Sequence, residues 1–144
     1  MDWNQKIRVG VIGGAAPEAR YRDIAFEVGR GIAAKGAILV CGGLGGVMEA
    51  AARGAKQAGG LTVGILPGNS PKEANPYIDV AVATGMGYSR NNLVVMNSDV
   101  LIAVDGSFGT LSEIAYGRVH AKTTVGIGTW DIEGVIPAET AEEA

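Results

Sequence analysis

At 144 residues, 47% of them hydrophobic, the chain is sized to bury one substantial core but not two, so one domain over residues 1–144 is expected. One cysteine, Cys41, and one histidine, His120, exclude an internal disulfide framework and a Cys/His metal cluster. The net charge of −3 comes from the tail: Asp131, Glu133, Glu139, Glu142 and Glu143 leave 10 of the 15 acidic residues against all 12 basic ones in the body, where no basic stripe with interleaved aromatics suggests a nucleic-acid partner.

The opening Met-Asp-Trp-Asn-Gln-Lys lacks the apolar region of an export signal, and no apolar run reaches the roughly 18 residues a membrane span needs, so a cytoplasmic protein without a membrane partner is expected. Ile7 to Ile12 is a short β-rich run ending in Gly13-Gly14, after which Pro17 at a first helical position and Glu18 in an acidic first turn open a helix. Ile24, Val28 and Ile32 recur at four-residue spacing as its buried stripe. Ala37 to Cys41 is a second strand, 42–46 a turn, and Val47, Ala51, Ala55 and Ala58 the small-residue face of a second helix, suited to close packing against another subunit.

Leu61–Leu66 and Ile78–Ala83 read as the third and fourth strands; Ser89 can cap a helix through Leu93, Val94 and Met96. Asp99–Val104 is a fifth strand, and a helix burying Leu111, Ile114, Ala115 and Val119 leads to a sixth at Thr123–Ile127. Strand runs alternating with amphipathic helices predict an α/β, Rossmann-like, doubly wound fold: a mostly parallel sheet of about six strands with helices on both faces. Thr140 and Glu143 have capping-box spacing, a helix start with one residue after it, so a last helix is expected to be missing.

In such a sheet, ligands collect beyond the strand carboxyl ends, where helix amino termini present unpaired N–H groups. Three glycine-rich turns qualify, and their phosphate-binding candidates are Gly13 and Gly14, then Gly42, Gly43, Gly45 and Gly46, then Gly106, Ser107, Gly109 and Thr110. The dinucleotide pattern Gly-x-Gly-x-x-Gly and the Walker lysine are absent, as is the Gly-x-Ser-x-Gly elbow that a triad of Ser107, Asp105 and His120 would want. Thr110 and Ser107 can equally open the helix, Cys41 reads as buried core, and Arg20 and Arg22 start the first helix against its dipole.

Cys41-Gly-Gly-Leu-Gly-Gly-Val-Met48, with Gly59-Gly-Leu-Thr-Val-Gly-Ile-Leu-Pro67, resembles the first signature of the cytokinin-activating phosphoribohydrolase (LOG) family. That family's second signature, Pro-Gly-Gly-x-Gly-Thr-x-x-Glu, is filled by Asp105 to Glu113, and Arg90 falls at the spacing of its preceding arginine. Asp105 replaces the proline, Ser107 the second glycine, and Asn91 the lysine after the arginine; these departures, with Gly-Thr-Leu-Ser-Glu-Ile-Ala, look more like the small branch that includes the molybdenum cofactor carrier proteins.

The resemblance implies a phosphorylated small molecule as partner, a nucleoside monophosphate or the molybdenum cofactor, held in a carrier or binding role with no further cofactor required. The alternative it implies is a nucleoside 5'-monophosphate phosphoribohydrolase, with Glu113 at the ribosyl centre and Arg90 anchoring phosphate or orienting the glutamate. A structural or regulatory oligomer is the third reading, and in each a homodimer or homotetramer is implied. Read from the chain alone, Glu113 falls in the first turn of its helix, where the dipole favours a carboxylate whatever its role, and Arg90 could be a solvated surface residue.

Overall fold

The computed structural model describes residues 3–144; Met1 and Asp2, which open the segment read as lacking an export signal, lie outside the described residues. The strands are β1 (Arg8–Gly13), β2 (Ile38–Cys41), β3 (Thr62–Leu66), β4 (Val80–Ala83), β5 (Val100–Val104), β6 (Thr123–Ile127) and β7 (Val135–Ala138). They form one sheet in the order β4-β3-β2-β1-β5-β6-β7, and every neighbouring pair is parallel. The helices are α1 (Ala19–Ala34), α2 (Val47–Gln57), α3 (Asn91–Met96) and α4 (Phe108–Val119).

The sheet has seven strands where about six were expected. The missed one, β7, carries Pro137, which cannot donate to a ladder and argues against a strand except at an edge; β7 is that edge, with Pro137 opposite Gly126. Pro17 is not at the first helical position either. Glu18 stays extended at φ −60°, ψ 156°, and its carbonyl accepts from the amides of Tyr21 and Arg22, so α1 begins two residues after the proline with no acidic residue in its first turn. Ser89 is likewise not a cap: Gly87–Arg90 is already a 3-10 turn that runs into α3.

Two apolar layers cover the sheet. Val28 and Ile32 of α1 and Val47, Ala51 and Ala55 of α2 pack with Val9, Val11, Leu39 and Val104 on one face, while Val94 of α3 and Ile114 of α4 pack with Ile12, Val40, Ile65 and Ala103 on the other. The small residues of α2 face α1. A Cβ on Gly29 would overlap the Ala51 carbonyl, and one on Gly54 the Phe26 carbonyl, so the two backbones touch; Ala51 and Ala55 are consumed inside the chain and Ala58 is exposed. That face is therefore not free for another subunit.

From β1 the chain moves outward through β2, β3 and β4, then returns to the other side of β1 at β5. The order reverses between β1 and β5, so the turns after these two strands part there and open a crevice beyond the strand ends. At the far end of the chain, the Glu143 amide donates to Thr140 Oγ1 at 3.3 Å, so the capping-box spacing is realised as a turn. No helix among the described residues is long and apolar enough to cross a membrane.

Candidate functional site

The three glycine turns meet at this reversal, but their glycines do different work. A Cβ on Gly13 would sit 2.6 Å from Val47 Cγ1 and collide with the Val104 carbonyl, and one on Gly43 would lie 2.6 Å from Leu66 Cδ2. Gly46 has φ +70°, and its Cβ would strike the Gly14 carbonyl, to which the next amide, Val47 N–H, donates at 3.0 Å. Gly106 has φ +121° and is pressed against Thr110. These four positions serve close packing of turn on turn.

Of the remaining four, Gly14, Gly45 and Gly109 leave room and Gly42 does not. Gly45 has nothing within 4 Å of a would-be Cβ, Gly109 only Asn91 Nδ2 and Tyr88 Cε1 at 3.9 Å, and Gly14 faces Gly106 Cα at 3.6 Å across the crevice. A Cβ on Gly42 would lie 2.7 Å from Arg90 Nη2, so the guanidinium rests over the end of β2. Thr110, third in α4, is buried against Gly106, whereas Ser107 is exposed and makes no side-chain cap although it occupies the cap position.

Arg90 and Glu113 are brought together, each only 7% exposed. The solvated-surface reading of Arg90 is overturned. So is the dipole explanation of Glu113, which is the sixth residue of α4 and beyond the turn where the helix terminus acts. Burial pushes its carboxyl up to about 8 against the opposing pull of the Arg90 guanidinium. Burial also lowers the Arg90 pKa, an effect that the Glu113 carboxylate resists. The two do not form an ion pair within 4.0 Å.

Arg90 Nη1 donates to Asn91 Oδ1, and Asn91 Nδ2 donates to Ser112 Oγ at 3.0 Å and the Gly109 carbonyl at 3.4 Å, which ties the arginine to α4. Arg90 Nε is buried with no protein partner. A guanidinium N–H withdrawn from water and left unpaired costs free energy unless a ligand meets it. Asn91 is the residue that sequence reasoning noted only as a departure; its adjacency to Arg90 was visible, but its reach to Ser112 was not.

Asp105 has φ +54°, a backbone that proline, fixed near −65°, cannot adopt, so the departure from the family proline is built into this turn. Its Oδ2 lies 3.8 Å from where Gly14 would carry a Cβ, and it has no ion pair within 4.0 Å. This carboxylate faces the crevice. His120 is at the far end of α4, about 18 Å along twelve residues from Ser107, and bonds Asn92 Oδ1 at 3.0 Å; no triad forms. Arg20 is exposed, paired with Glu18 at 3.5 Å and stacked on Tyr21.

Cys41 is fully buried between the same charges, and its thiol is pushed up to about 12, chiefly by burial. It is a neutral packing group. Iodoacetamide at pH 8 is expected to label Cys41 roughly a hundredfold more slowly in the folded than in the urea-unfolded protein, because the thiolate is the reacting form. Equal rates by mass spectrometry would overturn that assignment.

Two apolar grooves, of about 490 Å³ against β2, β3 and β4 and about 1230 Å³ between α1, β5, β6 and the C-terminal turn, include none of the candidate residues. Among the described residues no group of three or more His, Cys, Asp or Glu could hold a metal. The crevice brings together the Arg90 guanidinium, the Glu113 and Asp105 carboxyl groups and the open turns at Gly14, Gly45 and Gly109.

Residues 6–144 match the SLOG cluster4 family. The chain belongs to that family. It is 34% identical over 140 residues to the cytokinin riboside 5'-monophosphate phosphoribohydrolase of Mycobacterium tuberculosis, covering 90% of this chain and 72% of that protein. The molybdenum cofactor binding protein of Rippkaea orientalis superposes with a TM-score of 0.91 at 35% identity, covering 96% of this chain and 92% of the other. The molybdenum cofactor carrier protein of Chlamydomonas reinhardtii gives 0.89 at 35% identity with the same coverage. The family thus lies in the LOG-like superfamily, on its carrier-protein branch.

Proposed function

We propose that this chain binds a phosphorylated small molecule, of the molybdenum cofactor or nucleoside monophosphate type, and holds it as a carrier. The observation that carries this reading is the buried Arg90 guanidinium with its unpartnered Nε, seated over Gly42 beside three turns in each of which one glycine, Gly14, Gly45 or Gly109, leaves room for a ligand atom. A phosphate oxygen arriving between Gly14, Gly45 and Gly109 would meet backbone N–H groups at the starts of α2 and α4, and no Cβ would bar it. The likeness to the two molybdenum cofactor proteins supports the carrier role.

The second reading is hydrolysis of the N-glycosidic bond of a nucleoside monophosphate, favoured by the burial of Glu113 beside Arg90 and by the likeness to the phosphoribohydrolase. Burial pushes the Glu113 carboxyl up to about 8, which suits a proton donor to a departing base as well as a neutral group lining a binding site, so release of free base and not the carboxyl's protonation separates the two readings.

Freshly purified protein, denatured and analysed by mass spectrometry and fluorescence, is expected to release a phosphorylated compound. Finding none, together with no thermal shift from any phosphorylated ligand tried, would sink the carrier reading. Adenine appearing from AMP, and disappearing with Glu113→Gln, would establish the hydrolase in its place.

A further inference from the structure

The cradle is ringed by aromatic surface that packing does not explain. Phe108 opens α4 and is 79% exposed, its ring centroid 5.9 Å from that of Trp130 with the planes 33° apart. Trp130 lies between β6 and β7, half-buried on the core beneath, and its indole Nε1 donates to the Ser107 carbonyl at 3.0 Å. Tyr88, two residues before Arg90, is 84% exposed, and its Cε1 is 3.9 Å from the position of a Cβ on Gly109. Trp130 reaches the turn from the loop after β6, and Tyr88 from the 3-10 turn that precedes α3.

Large rings left in water are costly unless something covers them, and here the Trp130 indole beside Phe108 is fixed by its hydrogen bond. The indole is bonded to the cap residue of the helix whose amides form the cradle, so the aromatic wall and the phosphate turn are held as one unit. An aromatic face offers stacking to any planar heterocycle, whichever its hydrogen-bonding edge.

Resting on the phosphate-binding reading above, we infer that Phe108 and Trp130, with Tyr88 opposite, form a stacking wall for a fused planar heterocycle, a purine or a pterin, carried by the phosphorylated ligand. The phosphate is held by the turn, and the ring lies against Phe108. Specificity for ring over sugar phosphate then resides in these side chains, and Arg90 and the glycines are indifferent to it.

The chain has two tryptophans, so a Trp3→Phe background leaves Trp130 as the sole indole reporter. AMP, GMP and ribose 5-phosphate are titrated into it by calorimetry and by fluorescence. The nucleotides are expected to quench Trp130 saturably, and ribose 5-phosphate to bind without quenching. Phe108→Ala is expected to weaken nucleotide binding about tenfold and ribose 5-phosphate binding less than twofold, with an unchanged melting temperature because the ring is exposed.

Nucleotide binding that neither quenches Trp130 nor responds to Phe108→Ala overturns the stacking wall and leaves the phosphate site standing. A change of oligomeric state in Phe108→Ala, seen by sedimentation with nucleotide affinity retained, overturns it in favour of a subunit contact. Failure of all three compounds to bind the parent removes the phosphate-binding reading, and the wall with it.

Discussion

At pH 9 the ligand-free Glu113→Gln protein is expected to melt about 3–8 °C above the parent, and below pH 4.5 the two should melt together. The carboxyl has an ordinary value of 4.5 and stands at about 8 in the folded chain, raised by burial. The folded state therefore holds the proton more tightly than the unfolded one, so stability is fully present below pH 4.5, falls as pH rises toward 8, and is level above it. The full shift converts to a ceiling of about 5 kcal/mol, and water entering an open crevice reduces this to about 1–2 kcal/mol. Glutamine keeps the shape without the charge. Thermal melts across pH 4 to 9 decide it: a glutamine protein equally destabilised at every pH would mean that the carboxylate is well compensated.

On the proposed reading, the stability that Glu113 costs at working pH accompanies its place beside Arg90 in the ligand site. The same logic applies to the unpaired Arg90 Nε, which the chain holds dry beside Cys41. On the proposed reading, an anionic ligand completes this site. Arg90 and Glu113 form no ion pair within 4.0 Å of each other.

Much of the fold was legible because the apolar runs and the glycine turns alternate at the period of strand, turn and helix. β7 was not, since a single proline in four residues reads as loop until its partner strand is known. The turns announced themselves as a group, yet adjacent glycines in one dipeptide, Gly45 and Gly46, have opposite roles that only tertiary contacts reveal. Arg90 and Glu113 were found through the spacing of the family signature that the chain resembles, but their burial depends on how α4 sits against α3 and β1. The part of Trp130 in the turn was invisible because it comes from a loop 23 residues away.

Those two neighbouring glycines give the second large prediction. Gly46→Ala is expected to cost about 3 kcal/mol or more and to abolish ligand binding, whereas Gly45→Ala should fold like the parent. At Gly46 the backbone is held at φ +70°, ψ −130°, a region that residues with a Cβ adopt only under strain of about 1–3 kcal/mol. The added methyl would also meet backbone rather than a flexible side chain: Gly14 O and Ala15 C, the latter at 2.6 Å. Relief requires the first turn to move away from the second, which breaks the bond from Val47 N–H to Gly14 O and opens the crevice at its narrow end. Gly45 carries neither constraint, so its alanine variant reads the ligand alone. Urea unfolding and calorimetric titration of both proteins separate the effects: an alanine at 46 that folds and binds normally would show that the two turns are not locked together, and a loss of phosphate binding at 45 without loss of stability would mark the spot where the ligand approaches the chain.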